Sequence, residues 1–278
     1  MRNLRARVTH LFLYVFLIVI AFIVLLPFFI MLLGSFREHI DIIIRGPLAL
    51  PKIWHIENYY DVLFKYRFGM FFRNTFYITA PTVLVSLIFA IMAAYSLVFL
   101  ELPLRKLMVL LSTVLGVMIA SEFIMIPLYR LMNTLKLLDT YTAAILPQLA
   151  MSAAFSTLIL RSFFLGLPRD LIDAALVDGA TNWRILWSIL VPIAKPAIIT
   201  SGALTTVWTW NSYIIPLVLI PTPSKDPLAV GLLLFQGTYT IDIPLTMTGT
   251  VVTALPMLLF YLFFQRHIIR GLTKGAVD

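Results

Sequence analysis

Few side chains in this sequence could support acid–base, nucleophilic or metal chemistry. The chain has no cysteine, which excludes disulfides, thiolate chemistry and Cys-containing zinc sites. The four histidines, at positions 10, 39, 55 and 267, show no metal-ligand spacing. No glycine precedes a lysine, so the Gly-Lys pair of a phosphate-binding loop is absent. Any ATP hydrolysis linked to this chain must therefore occur in another chain.

Five side chains within long apolar stretches could contact a transported solute, namely Glu122, Trp208, Trp210, Asn211 and Tyr213. An acid inside an apolar stretch usually faces a bundle interior or a cavity. Aromatic faces and an amide suit sugar rings, so this set is a candidate translocation path. Two alternatives stay open, because the aromatic residues could pack between helices and Glu122 could be hydrated near the outer surface.

Small and acidic residues cluster in the segment 166–196, which reads GLPRDLIDAALVDGATNWRILWSILVPIAKP. Pro168 is suited to the first turn of a short helix, and Asp170 and Asp173 would lie near its positive N-terminal end. Gly179 would end that helix, and Thr181 is a suitable N-cap for a second one. The segment is therefore predicted to form a helix, a glycine corner and a second helix, which Val191-Pro192 and Lys195-Pro196 end.

The corner of this segment would present a surface of small side chains. Ala174, Ala175, Gly179 and Ala180 would allow another chain to approach closely, and Asp173 and Asp178 flank them. This pattern favours a docking surface over a catalytic one. The alternative is an amphipathic connector that lies on a membrane surface.

The composition indicates that these residues are positioned by membrane-spanning helices. Of the 278 residues, 61% are hydrophobic and 12% are charged, whereas a soluble domain has about 45–50% and about 25%. Long uncharged stretches of about 20 residues can each cross a bilayer. We predict an all-α polytopic membrane protein with six spans, at about 10–34, 74–98, 107–131, 141–163, 197–220 and 245–265.

The distribution of charge predicts the orientation of these spans. The first span follows three arginines as in a signal peptide, but its apolar core is too long and no cleavage site follows, so we expect it to remain as an anchor. The side that holds both termini collects 12 of the 21 Lys and Arg residues, and this bias predicts cytoplasmic termini. Each span contains a proline that could kink its helix, at positions 27, 81, 127, 147, 216 and 256.

The segment 166–196 closely resembles the EAA loop of the membrane subunits of binding-protein-dependent ABC importers. The matching residues are Asp173-Ala174-Ala175, Asp178-Gly179-Ala180, Leu186, Ile189 and Val191-Pro192. Asp173, Leu186 and Val191 replace the usual Glu, Phe and Leu. By this resemblance the loop docks onto an ATP-binding subunit, with contacts from Asp173, Ala174, Ala175, Asp178, Gly179, Ala180, Leu186, Ile189 and Pro192.

Residues from about 36 to the C-terminus resemble the maltose-type carbohydrate permeases of the MalG kind. The resemblance includes SFREHIDII, ENYYDVL, FFRNTF, LLDTYTAAILP, WTWNSYIIPL and PLAVGLLLFQGTY. It implies a type I ABC importer permease fold, divided into a first helix and outer segment at 1–71, a transmembrane domain at 72–265 and a cytoplasmic tail at 266–278. A further contact with the ATP-binding subunit is implied for Gly271, Leu272, Thr273, Lys274 and Gly275.

The same resemblance implies the partners of this chain. They are a second homologous permease subunit, two ATP-binding subunits, which bind ATP and Mg²⁺, and an extracytoplasmic sugar-binding protein, all at the bacterial or archaeal cell membrane. This chain itself would bind no cofactor and no metal and would not be an enzyme. An ion-coupled secondary transporter is the alternative, although the sequence shows no inverted repeat and no set of buried carboxylates for ion coupling.

Overall fold

The apolar runs of the sequence fold into helices. The structure is a computed structural model that describes residues 2–237 and 241–274. The first half contains α1 (Arg2–Gly34), α2 (His39–Arg45), α3 (Glu57–Tyr60), α4 (Phe68–Phe99), α5 (Arg105–Thr113), α6 (Met125–Thr134) and α7 (Tyr141–Leu165). The second half contains α8 (Asp170–Val177), α9 (Asn182–Arg184), α10 (Val191–Ile193), α11 (Lys195–Asn211), α12 (Ile214–Leu219), α13 (Leu228–Gly231) and α14 (Ile243–Lys274). Within the described residues, β-pairing is limited to one bridge between Gln236 and Ile241.

Four helical stretches in the described residues are long and apolar enough to cross a membrane. They are His10–Gly34 of α1, all of α4, all of α7 and Ile243–Arg266 of α14. A fifth span is obtained if Asn182–Ile193 and α11, which meet at a bend of 78°, are counted together. These stretches coincide with the predicted first, second, fourth and sixth spans, and α11 coincides with the first part of the predicted fifth span.

The predicted third and fifth spans are not continuous helices. The third consists of α5, a π-helical turn at Val114–Met118, a non-helical stretch at 119–124 and α6. The fifth is interrupted at 212–213, between α11 and α12. Pro127 and Pro216 are each the third residue of the helix that follows the break. Proline is tolerated there because the first turn leaves its N–H groups without an intrahelical partner.

The chain folds into two compact units. The first comprises residues 1–69 and 232–255. In this unit the fully buried Arg37 donates to the Asp41 carboxylate over 2.6 Å and to the Gly46 carbonyl over 2.8 Å. The Asn58 amide donates to the carbonyls of Ser35 and Arg37 over 2.9 and 3.1 Å. These bonds order the segment that follows α1.

The second unit comprises residues 70–231 and 256–278 and holds two apolar clusters. One joins α4, α7 and the segment 172–197. The other joins Ile78 of α4 to Met132 of α6, Ala143 and Ala144 of α7, and α12 with Ile220. The first cluster supports the predicted docking loop, and the second holds the opposite ends of the same helices together. The predicted domain division at residues 71 and 265 stays a prediction.

Candidate functional site

The first helix of the predicted docking loop is α8, and it ends as the sequence predicts. Asp170 and Asp173 lie in its first turn. Gly179 adopts φ +78°, its N–H donates to the Leu176 carbonyl over 3.0 Å, and the N–H of Ala180 donates to the Ala175 carbonyl over 2.9 Å. This pair of bonds is the Schellman arrangement, which favours glycine at the left-handed position. The glycine corner is therefore confirmed.

The second helix of the loop begins at Thr181, also as predicted. The Thr181 hydroxyl accepts a bond from the Arg184 N–H over 3.4 Å, as an N-cap does. The helix continues from α9 through a π-helical stretch at Ile185–Leu190 into α10. It stops at Ile193, between the two proline pairs, Val191-Pro192 and Lys195-Pro196, that the sequence predicts to end it. The chain then bends by 78° into α11.

One side of the loop is buried against the spans. Ile172, Ala175, Ile185, Leu186 and Leu190 pack with residues of α4 and α7. Ala175 and Leu186, predicted to contact the ATP-binding subunit, thus face the core of this chain. Because this side is apolar and well packed, the loop is held firmly on the ends of the spans.

The opposite side of the loop is open. Asp173, Ala174, Asp178, Gly179 and Pro192 are exposed, whereas Ala180 and Ile189 are partly buried. Three apolar side chains that the sequence analysis did not select are exposed beside them, Leu176, Val177 and Trp183.

The side chain of Val177 is 88% exposed. The spacing could have revealed it, because Asp173 and Val177 are four residues apart on one face of α8 while Ile172 and Ala175 lie on the other. We call the exposed set Asp173, Ala174, Val177, Asp178, Gly179 and Trp183 the docking corner.

A second candidate site is a cavity of about 200 Å³ in the second unit. Its polar lining comes from Ser121 in the break after α5, Gln148 and Ser152 of α7, Thr209 of α11 and Ser212 in the break before α12. Trp208 also lines it and packs against Phe155 with a centroid distance of 4.4 Å. The breaks in the third and fifth spans thus form part of its wall.

The five residues predicted for the translocation path are not brought together. Trp208 lines the cavity, but Trp210 is 6% exposed and packs edge-to-face on Phe72 with a centroid distance of 5.6 Å. Asn211 is exposed, and its amide donates to the Val207 carbonyl over 2.8 Å. Glu122 and Tyr213 are exposed and do not line the cavity.

The polar lining of this cavity is not among the residues predicted from the sequence. Gln148, Ser152, Thr209 and the two serines at the breaks are uncharged, whereas the predicted path rests mainly on charged and aromatic residues. A polar residue that recurs at helical spacing in an apolar span, such as Gln148 with Ser152, is the signal that could have identified them.

A polar cluster in the second unit links the turn before α7 to the loop after α12. The Asp139 carboxylate accepts bonds from the Lys225 ammonium over 2.7 Å and the Thr222 hydroxyl over 2.8 Å. These bonds hold the pKa of Asp139 below its usual value, and Lys225 contributes most. Burial raises the pKa of Asp226 in the same loop to about 6.

The remaining predicted contacts lie at the C-terminus. Gly271, Leu272, Thr273 and Lys274 are the last four residues of α14, and Gly275 lies outside the described residues. Within residues 2–237 and 241–274, no group of three or more His, Asp or Glu side chains could hold a metal ion.

The sequence matches a known protein family and several named relatives. Residues 86–274 match the family described as "Binding-protein-dependent transport system inner membrane component". The chain is 32% identical over 261 residues to the arabinooligosaccharides transport system permease protein AraQ of Halalkalibacterium halodurans. The alignment covers 93% of this chain and 92% of that protein. It is 29% identical over 262 residues to the diacetylchitobiose uptake system permease protein NgcG of Streptomyces coelicolor, over 94% and 86% of the two chains.

The fold also matches a solved structure. A chain in the crystal structure of a bacterial ABC transporter involved in the import of the acidic polysaccharide alginate superposes with a TM-score of 0.79. The match covers 94% of this chain and 96% of that chain, at 24% sequence identity. The likeness shows an all-helical ABC importer permease fold.

Proposed function

The chain belongs to the family of binding-protein-dependent transport system inner membrane components, and we propose that it is one of two permease subunits of a carbohydrate ABC importer. The observation that carries this proposal is the docking corner. It exposes small, apolar and acidic side chains on a loop whose other side is packed into the core of the spans. A partner chain bound to the exposed side of this loop could move the spans, because the other side of the loop is packed against them.

The partners we propose are two ATP-binding subunits, a second permease subunit and an extracytoplasmic binding protein. ATP and Mg²⁺ bind to the ATP-binding subunits, since this chain has no phosphate-binding loop. When those subunits close on ATP, they displace the docking corner, and the bundle changes from inward-facing to outward-facing by rigid-body movement. This proposal includes contacts with these subunits from the 271–275 tail and from Asp173, Ala174, Asp178, Gly179, Ala180, Ile189 and Pro192.

The topology we propose has six spans with both termini in the cytoplasm. Four spans correspond to α1, α4, α7 and α14, the third to α5 and α6 together, and the fifth to α11 and α12 together. The excess of Lys and Arg on the side of the termini supports this orientation. The outer segments 35–73 and 221–244 then face the binding protein.

A carbohydrate is the proposed substrate class because relatives that match over the whole chain are named for arabinooligosaccharides and for diacetylchitobiose. The alternative of an ion-coupled carrier has less support. Glu122 is the single acid within a predicted span, and its side chain is exposed, whereas ion coupling requires ionisable groups within the bundle.

The proposal can be tested by isolating this chain with its partners. A tagged chain purified from its own membrane should bring an ATP-binding subunit and a second permease with it. The complex, reconstituted in liposomes with its binding protein, should accumulate a saccharide only when ATP is supplied. The panel of probes comprises maltotriose, arabinotriose, diacetylchitobiose and an alginate trisaccharide.

Isolation of the chain without an ATP-binding subunit, together with saccharide uptake driven by an ion gradient, would favour the carrier instead. Uptake of none of the four saccharides in the presence of ATP would remove the carbohydrate assignment.

A further inference from the structure

We propose that the 200 Å³ cavity between the 116–121 segment, α7 and the break at 212–213 is a binding subsite for one uncharged sugar ring of the transported carbohydrate. This inference rests on the proposed function. It adds that this chain itself contacts the substrate and that the contact is made through hydrogen bonds to hydroxyl groups.

Gln148 is the residue that points to a ligand. Its side chain is 6% exposed, and its Nε2 donates to the Ala144 carbonyl one turn earlier over 3.0 Å. That bond fixes the orientation of the carboxamide, whose Oε1 has no hydrogen-bond partner among the described residues. A buried acceptor without a partner is destabilising. Because Gln148 lines a cavity, an O–H group of a bound ligand supplies the hydrogen bond that its Oε1 lacks.

The rest of the lining matches the same ligand chemistry. Ser152 lies one turn after Gln148 on the same face of α7, and Thr209 and Ser212 approach from the other wall. The indole of Trp208 adds an apolar face that a sugar ring can cover. None of the residues that line the cavity is ionisable. A carboxylate or phosphate would therefore have no cationic partner there, whereas a polyhydroxylated neutral ring would find both hydrogen-bonding groups and an aromatic surface.

The size of the cavity limits the ligand to one ring. Pockets for drug-sized molecules enclose about 300–1,000 Å³, and this cavity encloses about 200 Å³. An oligosaccharide would place a single unit in it, with the neighbouring units outside.

Gly116 explains how the wall approaches α7. A Cβ at this position would lie 2.5 Å from the backbone nitrogen of Phe155. The absence of a side chain lets the 114–118 turn lie directly on α7, so the serine at 121 is carried to the cavity that Gln148 lines. Glycine is thus required here by close backbone approach.

The test measures the amount of saccharide delivered per ATP hydrolysed by the reconstituted complex with saturating loaded binding protein. The probe is the member of the four-saccharide panel that the wild-type complex accumulates. Gln148→Leu removes the Oε1 acceptor, and with it the Nε2 donor to Ala144, and puts an apolar side chain in their place. We expect the ratio to fall about 5- to 10-fold, as for the loss of one or two ligand hydrogen bonds. Thr209→Val, which keeps the shape of the side chain, should lower the saccharide delivered per ATP by a smaller factor. This variant replaces Gln148→Leu in the test if the Gln148→Leu complex fails to assemble.

Ser201→Ala is the matched control. Ser201 is fully buried in α11, and its hydroxyl, like the Gln148 oxygen, has no partner among the described residues, but it does not line the cavity. The Ser201→Ala complex should deliver as much saccharide per ATP hydrolysed as the wild type. An unchanged ratio in both cavity variants, or an equal fall in Ser201→Ala, would overturn the subsite.

Two outcomes with the wild-type complex separate this inference from the function on which it rests. Accumulation of the alginate trisaccharide but of no neutral saccharide would overturn the uncharged subsite and leave the importer assignment intact. ATP-dependent uptake of none of the four would remove the assignment itself, and the subsite with it.

Discussion

The hydroxyl of Tyr95 donates a 2.8 Å hydrogen bond to Oδ1 of Asn182. Tyr95 lies near the end of α4, and Asn182 is the first residue of α9, directly after the glycine corner. The bond therefore joins a span to the exposed side of the docking loop. Together with the apolar packing of Ile185 and Leu190 beneath the loop, it ties the loop to α4, and in the mechanism we propose it transmits movement of the docking corner to the bundle.

Tyr95→Phe should weaken this connection. Loss of one partly buried hydrogen bond is worth about 1 kcal/mol, so we expect a fall of a few-fold in saccharide delivered per ATP, with the subunits still associated. The measurement is uptake and phosphate release in the same liposomes. Tyr129→Phe is the control, since Tyr129 is 44% exposed in α6 and away from the docking loop. Equal ratios in Tyr95→Phe and the wild type would contradict the mechanical role of this bond.

Gly179→Arg should uncouple ATP hydrolysis from transport by obstructing the docking corner. Apart from its neighbours in the chain, no atom of the described residues lies within 4 Å of a Cβ built at Gly179, so the new side chain begins in open space, where a docked partner would meet it. The left-handed φ adds a strain of about 1–2 kcal/mol. The expected result is loss of the ATP-binding subunit on purification, or ATPase activity without uptake.

Gly46→Arg is a close control for that experiment. Gly46 has φ +76° and, like Gly179, no atom within 4 Å of a built Cβ. Its ψ of 168° lies in a region of backbone conformation that is almost restricted to glycine, so an arginine there is strained as well, but it belongs to the segment after α2 and not to the docking loop. If both variants lose coupling to the same extent, backbone strain accounts for the effect and the docking role of Gly179 fails.

Trp208 and Trp210 should respond differently to truncation. Trp210→Ala removes a buried ring from its contact with Phe72, and a cavity of this kind costs about 3–5 kcal/mol in a protein core. We expect a lower thermal midpoint and a lower yield of the complex. Trp208→Ala should keep the midpoint closer to wild type and lower the saccharide delivered per ATP. The reverse pattern would place Trp210, not Trp208, on the path.

The stability of the loop after α12 should depend on pH through Asp226. Burial raises the pKa of this carboxyl from 3.8 to about 6, so the folded loop binds a proton more readily than the unfolded chain does. Stability should therefore rise as the pH falls from 7 towards 5, by about 2–4 °C in the thermal midpoint of the purified complex. Asp226→Asn should remove this rise, whereas Glu57→Gln, at a side chain that is 84% exposed, should retain it. A rise of the same size in Asp226→Asn would assign it to another group.

Much of the docking loop could be predicted because its structure is local. Gly179 at the end of α8 and Thr181 at the start of α9 act through bonds within five residues, and Asp170 and Asp173 lie in the first turn of α8, next to its positive end. Such bonds depend on neighbouring residues and therefore appear in the sequence. The apolar runs that form α1, α4, α7 and α14 were predictable for a similar reason, since each helix satisfies its own backbone groups.

The direction in which each side chain points was not predictable. Trp208 and Trp210 are two residues apart, which places them about 200° apart around α11, and only the packing of Phe155 and Phe72 determines which ring reaches the cavity. Ala175 and Leu186 matched a docking pattern, yet the apolar cluster of α4 and α7 buries them in this chain.

The sequence by itself determined a multi-pass membrane protein with a loop that forms a helix, a glycine corner and a second helix. These features depend on composition and on contacts between close neighbours in the chain. Only the tertiary structure showed the breaks at 119–124 and 212–213 and the cavity that joins them to Gln148. The physical reason is that a cavity forms between helices distant in sequence, and its polar lining gains meaning only when those helices are packed together.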